Sequence, residues 1–145
     1  WTNENLNEML INKLCNDFSN LVKHKVINSQ WVPGVFDLIH SLNKNDHFSF
    51  IVTATPYTEI TEILYELELT DLFKEVFGAP TSKSDAIAVI IKKYEILNKD
   101  AVMIGDSKTD MIAAINNNID FILRKTNENK SLQIETDSKM IDNFL

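Results

Sequence analysis

The stretch Val102-Met103-Ile104-Gly105-Asp106-Ser107-Lys108-Thr109-Asp110-Met111-Ile112-Ala113-Ala114 changes its period partway along. Up to Ile104 it is a short continuous apolar run, the pattern of a strand buried on both faces, so residues Ala101 to Ile104 read as a strand ending at Gly105. From Lys108 to Asn117 the pattern is helical. Ser107 and Asp110 are spaced as a capping pair, S-x-x-D, which on its own accounts for Asp110. It does not account for Asp106. A Gly-Asp step at the end of a buried strand sets a carboxylate at the edge of a sheet where ligands bind, and hard oxygens there suit Mg²⁺ held together with a phosphate.

Working outward, the same alternation recurs. Phe48 to Thr53 reads as a strand, and Thr55-Pro56 supplies an N-cap and a first-turn proline for a helix carrying Ile60, Ile63, Leu64 and Leu67. Glu75 to Phe77 is a short strand, Ser82 opens a helix running through Ile96, and Phe121 to Leu123 is a further strand, with Asn118 ending the helix before it in the left-handed conformation. Strand and helix in regular alternation imply an α/β fold, a doubly wound parallel sheet. Ahead of it, Leu6, Met9, Leu10, Leu14, Phe18, Leu21, Val22 and Val26 fall at helical spacing over the first 27 residues. A break at Asn28 to Pro33 follows, and then a second helix, with Pro33 in its first turn and Val35, Phe36, Leu38, Ile39 and Leu42 on its apolar side. The polar last twenty residues carry a weak strand near Leu132 to Ile134 and a short final helix.

Two more candidates stand where ligands bind in such a sheet. Thr53, with Ala54 beside it, ends a strand next to the free N–H groups of the following helix, where a hydroxyl can hold a phosphate oxygen; taken alone, a β-branched Thr53 reads first as plain strand. Lys83 lies in the first turn of a helix capped by the pair Ser82 and Asp85. A cation there opposes the helix dipole by roughly 0.3–1 kcal/mol unless an anion is held nearby, a penalty that a solvated surface lysine absorbs easily.

The composition fits one domain. The chain has 145 residues, 44% of them hydrophobic, a net charge of −7 and a single cysteine. That excludes an internal disulfide and a Cys/His zinc cluster, and makes a reducing, cytoplasmic setting the expectation. The longest unbroken apolar stretch, Ala86 to Ile91, is far short of the roughly 20 residues of a membrane span. The acidic balance, with no basic run longer than Lys92-Lys93, argues against nucleic acid or an anionic membrane as partner. His24, His40 and His47 lack the spacing of metal ligands and read as structural or surface residues; Trp31 and Tyr57 read as packing, with a place near a cap hinge and near the phosphate site as the respective alternatives.

Taken together, Ile51-Val52-Thr53, Lys83 ahead of a helix, and the Gly105 to Ala114 element resemble, in order and spacing, the second, third and fourth motifs of the haloacid dehalogenase-like hydrolases. The resemblance runs from about Val32 to Ile134. The turn Val32-Pro33-Gly34-Val35 is similar to the return from the inserted helical cap of the subfamily that includes phosphoglycolate phosphatase and β-phosphoglucomutase. The resemblance implies a Rossmannoid core over residues 31–145 and a cap remnant over residues 1–30. It implies that Thr53 and Ala54 bind the transferred phosphoryl group, that Lys83 stabilises its charge, that Asp106 ligates Mg²⁺ and that Asp110 supports the metal site. The activity implied is Mg²⁺-dependent hydrolysis of a small phosphorylated metabolite.

One element of the pattern is absent. Family members open with an apolar strand followed by Asp-x-Asp, whose first Asp attacks phosphorus and whose second serves as general acid and base. Nothing upstream of Thr53 has this form; Asp17 lies within the amphipathic helix. Together with Trp1 in first position, this gives the expectation of an N-terminally truncated protein, inactive without its nucleophile. The alternative is a non-catalytic binding or interaction module that kept the fold. A phospho-acceptor receiver domain uses similar residue types, but its acidic residues precede the Thr and the Lys. Because the absent strand is central in the family's sheet, the strands ending at Thr53 and Gly105 are expected to pair directly or to receive another segment between them.

Overall fold

The computed structural model describes residues 8–45 and 47–145. The elements run α1 (Glu8–Ile27), α2 (Val35–Lys44), β1 (Phe50–Pro56), α3 (Tyr57–Glu66), β2 (Glu75–Ala79), α4 (Lys83–Lys93), β3 (Val102–Gly105), α5 (Lys108–Asn116), β4 (Asp120–Arg124), α6 (Lys130–Glu135) and β5 (Lys139–Ile141). Leu6, counted into the first helix by its spacing, lies outside the described residues.

Every strand pair is parallel, as short buried strands joined through helices require. β1 pairs with β2, and β3, β4 and β5 form a second ladder in that order. The core lies between strands and helices: Ile63 and Leu64 of α3, Ala86, Ile87 and Ile90 of α4, Ala113 and Ala114 of α5, Leu123 of β4 and Leu132 of α6 are buried. Fully burying a side chain the size of Leu or Ile stabilises by roughly 1.5–3 kcal/mol, so these helix faces are what hold the strands in place. Small residues let α5 lie close: Ala114 is 0% exposed. No helix among the described residues is long and apolar enough to cross a membrane.

The expected contact across the two ladders does not form. β1 and β3 are each paired on one side only, and no described strand lies between them. Helix packing holds the halves instead. α4 packs against both β1 and α5, and the Asn117 and Asn116 carboxamides donate to the Ser84 carbonyl (3.0 Å) and the Ser84 hydroxyl (3.2 Å). Val102 and Ile104 of β3 are exposed.

Several boundaries differ from the sequence reading for local reasons. Thr55 does not cap α3: its backbone remains extended, Pro56 pairs with Ala79 across a bulge, and Pro56 itself is the N-cap residue. Pro33 precedes α2 rather than opening it, because Gly34 takes the N-cap position with φ 79°. A Cβ on Gly34 would also lie 2.5 Å from the Phe144 carbonyl, so the last residues close over this turn, where the Phe144 N–H donates to the Pro33 carbonyl (2.9 Å). α4 stops at Lys93, short of Ile96, because Glu95 turns left-handed (φ 54°). In the tail the expected order is reversed: residues 132–134 lie in α6, with Leu132 buried, and the strand follows as β5, paired to the end of β4. Asn118 is left-handed, as expected (φ 50°).

α1 is amphipathic yet has no buried residue. It is fastened to α3 by polar contacts, Ser19 Oγ to Glu59 (2.6 Å) and Lys23 Nζ to Glu62 (2.6 Å), while Leu14, Phe18 and Leu21 are exposed.

Candidate functional site

The turn between β3 and α5 is built around one carboxylate. Asp110 is 4% exposed, and its two oxygens have separate partners. Oδ2 accepts the Ser107 N–H (3.0 Å) and the Ser107 hydroxyl (2.6 Å), while Oδ1 accepts Lys83 Nζ (2.6 Å). The Ser107 hydroxyl oxygen accepts the Asp110 N–H in return (3.3 Å), completing the capping box that the S-x-x-D spacing announces. Gly105 makes room for this arrangement. A Cβ there would lie 2.5 Å from Asp110 Cγ, so only glycine lets the carboxylate tuck beneath the end of β3.

Lys83 and Asp110 form a sequestered ion pair, with side chains 18% and 6% exposed. Such a pair is costly to desolvate and persists when further hydrogen bonds satisfy its members, as Ser107 does here. The pair explains the cation in the first turn of α4, since its charge is met by a carboxylate rather than left to oppose the helix dipole. It also defines what Asp110 can do. With both oxygens occupied, it fixes Lys83 and the turn.

Asp106 has the opposite character. It is exposed, and among the described residues its carboxylate accepts no hydrogen bond, so it is the free hard-oxygen donor at this strand end. Beside it opens a cavity of about 630 Å³ lined by residues that include Asp106, Ser107, Lys108, Arg124, Thr126 and Asn129. No three His, Cys, Asp or Glu side chains converge among the described residues, so they form no all-protein metal cage. A single carboxylate with water and a phosphate is nevertheless a usual ligand set for Mg²⁺, and Asp106 fits that role.

Thr53 lies half-buried on β1, with Ala54 exposed beside it. Its Oγ1 accepts the Thr55 N–H (3.1 Å) and is hydrogen-bonded to the Thr55 hydroxyl (3.1 Å), a local turn that bulges the chain between Val52 and Pro56. The structure thus places Lys83 and Asp110 in contact on the turn that bears Asp106. Thr53 does not end its strand as expected: it and Ala54 lie in the bulge of the other ladder, whose β1 runs on to Pro56 and packs against the Lys83 helix. His40 lies against the Phe36 ring (4.4 Å), and Trp31 meets Phe36 edge-on (6.3 Å), both as packing. The sequence reading missed Asn129, buried at 8% exposure, and Arg124, whose buried Nε has no hydrogen-bond partner among the described residues.

A parallel α/β scaffold with a hydroxyl on one ladder and, at the end of the other, an ion-paired lysine beside a free carboxylate defines a class of sites rather than one protein. The chain belongs to the haloacid dehalogenase-like hydrolases, whose family model matches residues 2–124. It is 29% identical over 109 residues to a phosphoglycolate phosphatase of Vibrio vulnificus, covering 72% of this chain and 47% of that protein. A phosphoglycolate phosphatase of Psychrobacter arcticus is 40% identical over 76 residues, covering 48% of this chain and 33% of the relative. The chain spans about half the length of the Vibrio relative. Among solved structures, a predicted phosphoglycolate phosphatase from Haemophilus somnus superposes with a TM-score of 0.77 at 19% identity, over 96% of this chain and 65% of the other. A haloacid dehalogenase-like hydrolase from Streptococcus pneumoniae does so with a TM-score of 0.70 at 20% identity, over 94% and 68%.

Proposed function

We propose that this chain is the phosphate- and metal-holding part of a Mg²⁺-dependent phosphoric monoester hydrolase acting on a small phosphorylated metabolite. The observation that carries the reading is the sequestered Lys83–Asp110 pair on the turn that leaves the Asp106 carboxylate free. Lys83, held by Asp110, faces the phosphoryl group with a fixed positive charge; fixed charges placed in advance lower the barrier to transfer because nothing needs to reorganise during the reaction. Thr53 and the Ala54 backbone bind phosphoryl oxygens from the other ladder. Asp106 holds Mg²⁺, which when bound neutralises phosphoryl charge. The attacking carboxylate and the acid–base carboxylate come from a segment outside this sequence, residues 31–145 form the core, and residues 1–30 belong to a helical cap. The protein works in the cytoplasm.

Phosphoglycolate is the first substrate to assay, because relatives bear that activity in their names. Phosphate release with Mg²⁺ is measured for this chain and for the protein carrying its native upstream sequence. Release by the longer protein, its loss on Asp106→Ala, and none from the short chain are the expected results. Release by the longer protein that survives Asp106→Ala overturns the metal role, and strong release from the short chain overturns the external nucleophile. Phosphate binding without hydrolysis by the longer protein supports a binding module instead.

A further inference from the structure

Asn129 is a buried polar residue that the proposed reaction does not use. Its carboxamide makes four hydrogen bonds at once. Nδ2 donates to the carbonyls of Asp106 (2.8 Å) and Arg124 (2.9 Å), and Oδ1 accepts the Thr126 N–H (2.9 Å) and Gln133 Nε2 (2.7 Å). The two carbonyls fix which way the amide points, since turning it over would set an oxygen against two oxygens. Its side chain does not cap its own helix, α6. The β3–β4 ladder ends at the Gly105–Leu123 pair, and Asn129 joins the next residue of each strand, Asp106 and Arg124, where no backbone bond does.

The peptide unit between Asp106 and Ser107 is therefore gripped at both ends. Its C=O accepts from Asn129, and its N–H donates to Asp110 Oδ2. A peptide is planar, so fixing both of its polar groups fixes the plane and with it the Cα of Asp106 from which the free carboxylate extends. Of the two grips, only the one from Asn129 comes from outside the capping box. We infer that Asn129 is a positioning residue that holds the Asp106 carboxylate in place for a divalent cation. The inference rests on the reading of Asp106 as a metal ligand.

The test uses Mn²⁺ as probe on the whole chain, its dissociation constant read by water-proton relaxation, together with hydrogen exchange of the Ser107 amide. Outer partners of metal ligands typically change affinity 10–100-fold. Asn129→Leu should raise the Mn²⁺ dissociation constant by about that factor and speed Ser107 exchange at least about tenfold, with exchange in the Leu123 core unchanged. Gln133→Met, which leaves the Asp106 bond in place, should stay within about twofold, and Asp106→Asn should abolish binding. If the Leu variant does not fold, Asn129→Ser repeats the comparison. Asn129→Leu binding as the unmodified chain does, while Asp106→Asn does not bind, overturns the inference and leaves the metal reading standing. Binding unaffected by Asp106→Asn overturns the metal reading and the inference with it. Unchanged Ser107 exchange in the Asn129 variant, or an equal effect from Gln133→Met, overturns the inference whether or not the ion binds.

Discussion

Two local turns border this site, and they are held in different ways. The turn after β3 is braced from a distance, by Lys83 on α4 and by Asn129 ahead of α6, and its glycine allows a carboxylate to lie beneath it. The turn within β1 is closed locally, Thr53 Oγ1 bonding to Thr55 two residues on, and β2 pairs with the chain on either side of it. A turn braced by remote side chains buries polar atoms that must all be satisfied; a turn whose side-chain bonds are local buries fewer. Under the function proposed above, the first turn is the one that places the Asp106 carboxylate and the second is the one that meets phosphate.

The largest expected effect falls on the braced turn. Asp110→Ala strands Lys83 and removes the partner of two Ser107 donors, and breaking a buried pair from one side costs about 3–5 kcal/mol, read as a shift in the urea unfolding midpoint. A loss below about 1 kcal/mol would show that the pair is solvated and that the contrast between the turns fails. Gly105→Ala should cost about 1–3 kcal/mol in the same assay, because the added methyl meets a carboxylate that cannot move away while Lys83 and Ser107 hold it. Thr53→Val should change stability least, by about 0.5–1.5 kcal/mol for the local hydrogen bonds it removes. It should nevertheless weaken phosphate binding by the longer protein, measured by calorimetry. Equal destabilisation by Thr53→Val and Asp110→Ala would make the two turns alike.

What the sequence announces and what it conceals divide along the same line. Caps are legible because their partners lie three residues apart: Ser82 with Asp85, and Ser107 with Asp110, stand where the spacing puts them. The Lys83–Asp110 contact spans 27 residues and the Asn129–Asp106 contact 23, so neither leaves a local mark. Thr55 has the composition of a cap, but its hydroxyl is engaged by Thr53 and its strand continues to Pro56, pairing that is set by β2. The tail misleads for a related reason. Leu132 gains its burial from being on a helix, while residues 139–141, Lys-Met-Ile, become a strand because β4 offers an edge. α1 shows the reverse limit, since its apolar stripe is plain in the sequence but what covers such a stripe is not a local property.

The contact of Phe144 with the Pro33–Gly34 turn has a consequence for the order in which the protein forms. It closes a loop that contains nearly the whole core, and closing a long loop carries an entropy cost that local helices do not meet. On the ribosome, where the N-terminal part emerges first, α2 waits for the final residues before its turn is covered. The Pro33–Gly34 turn is thus covered only once the chain from α2 to Phe144 has come together.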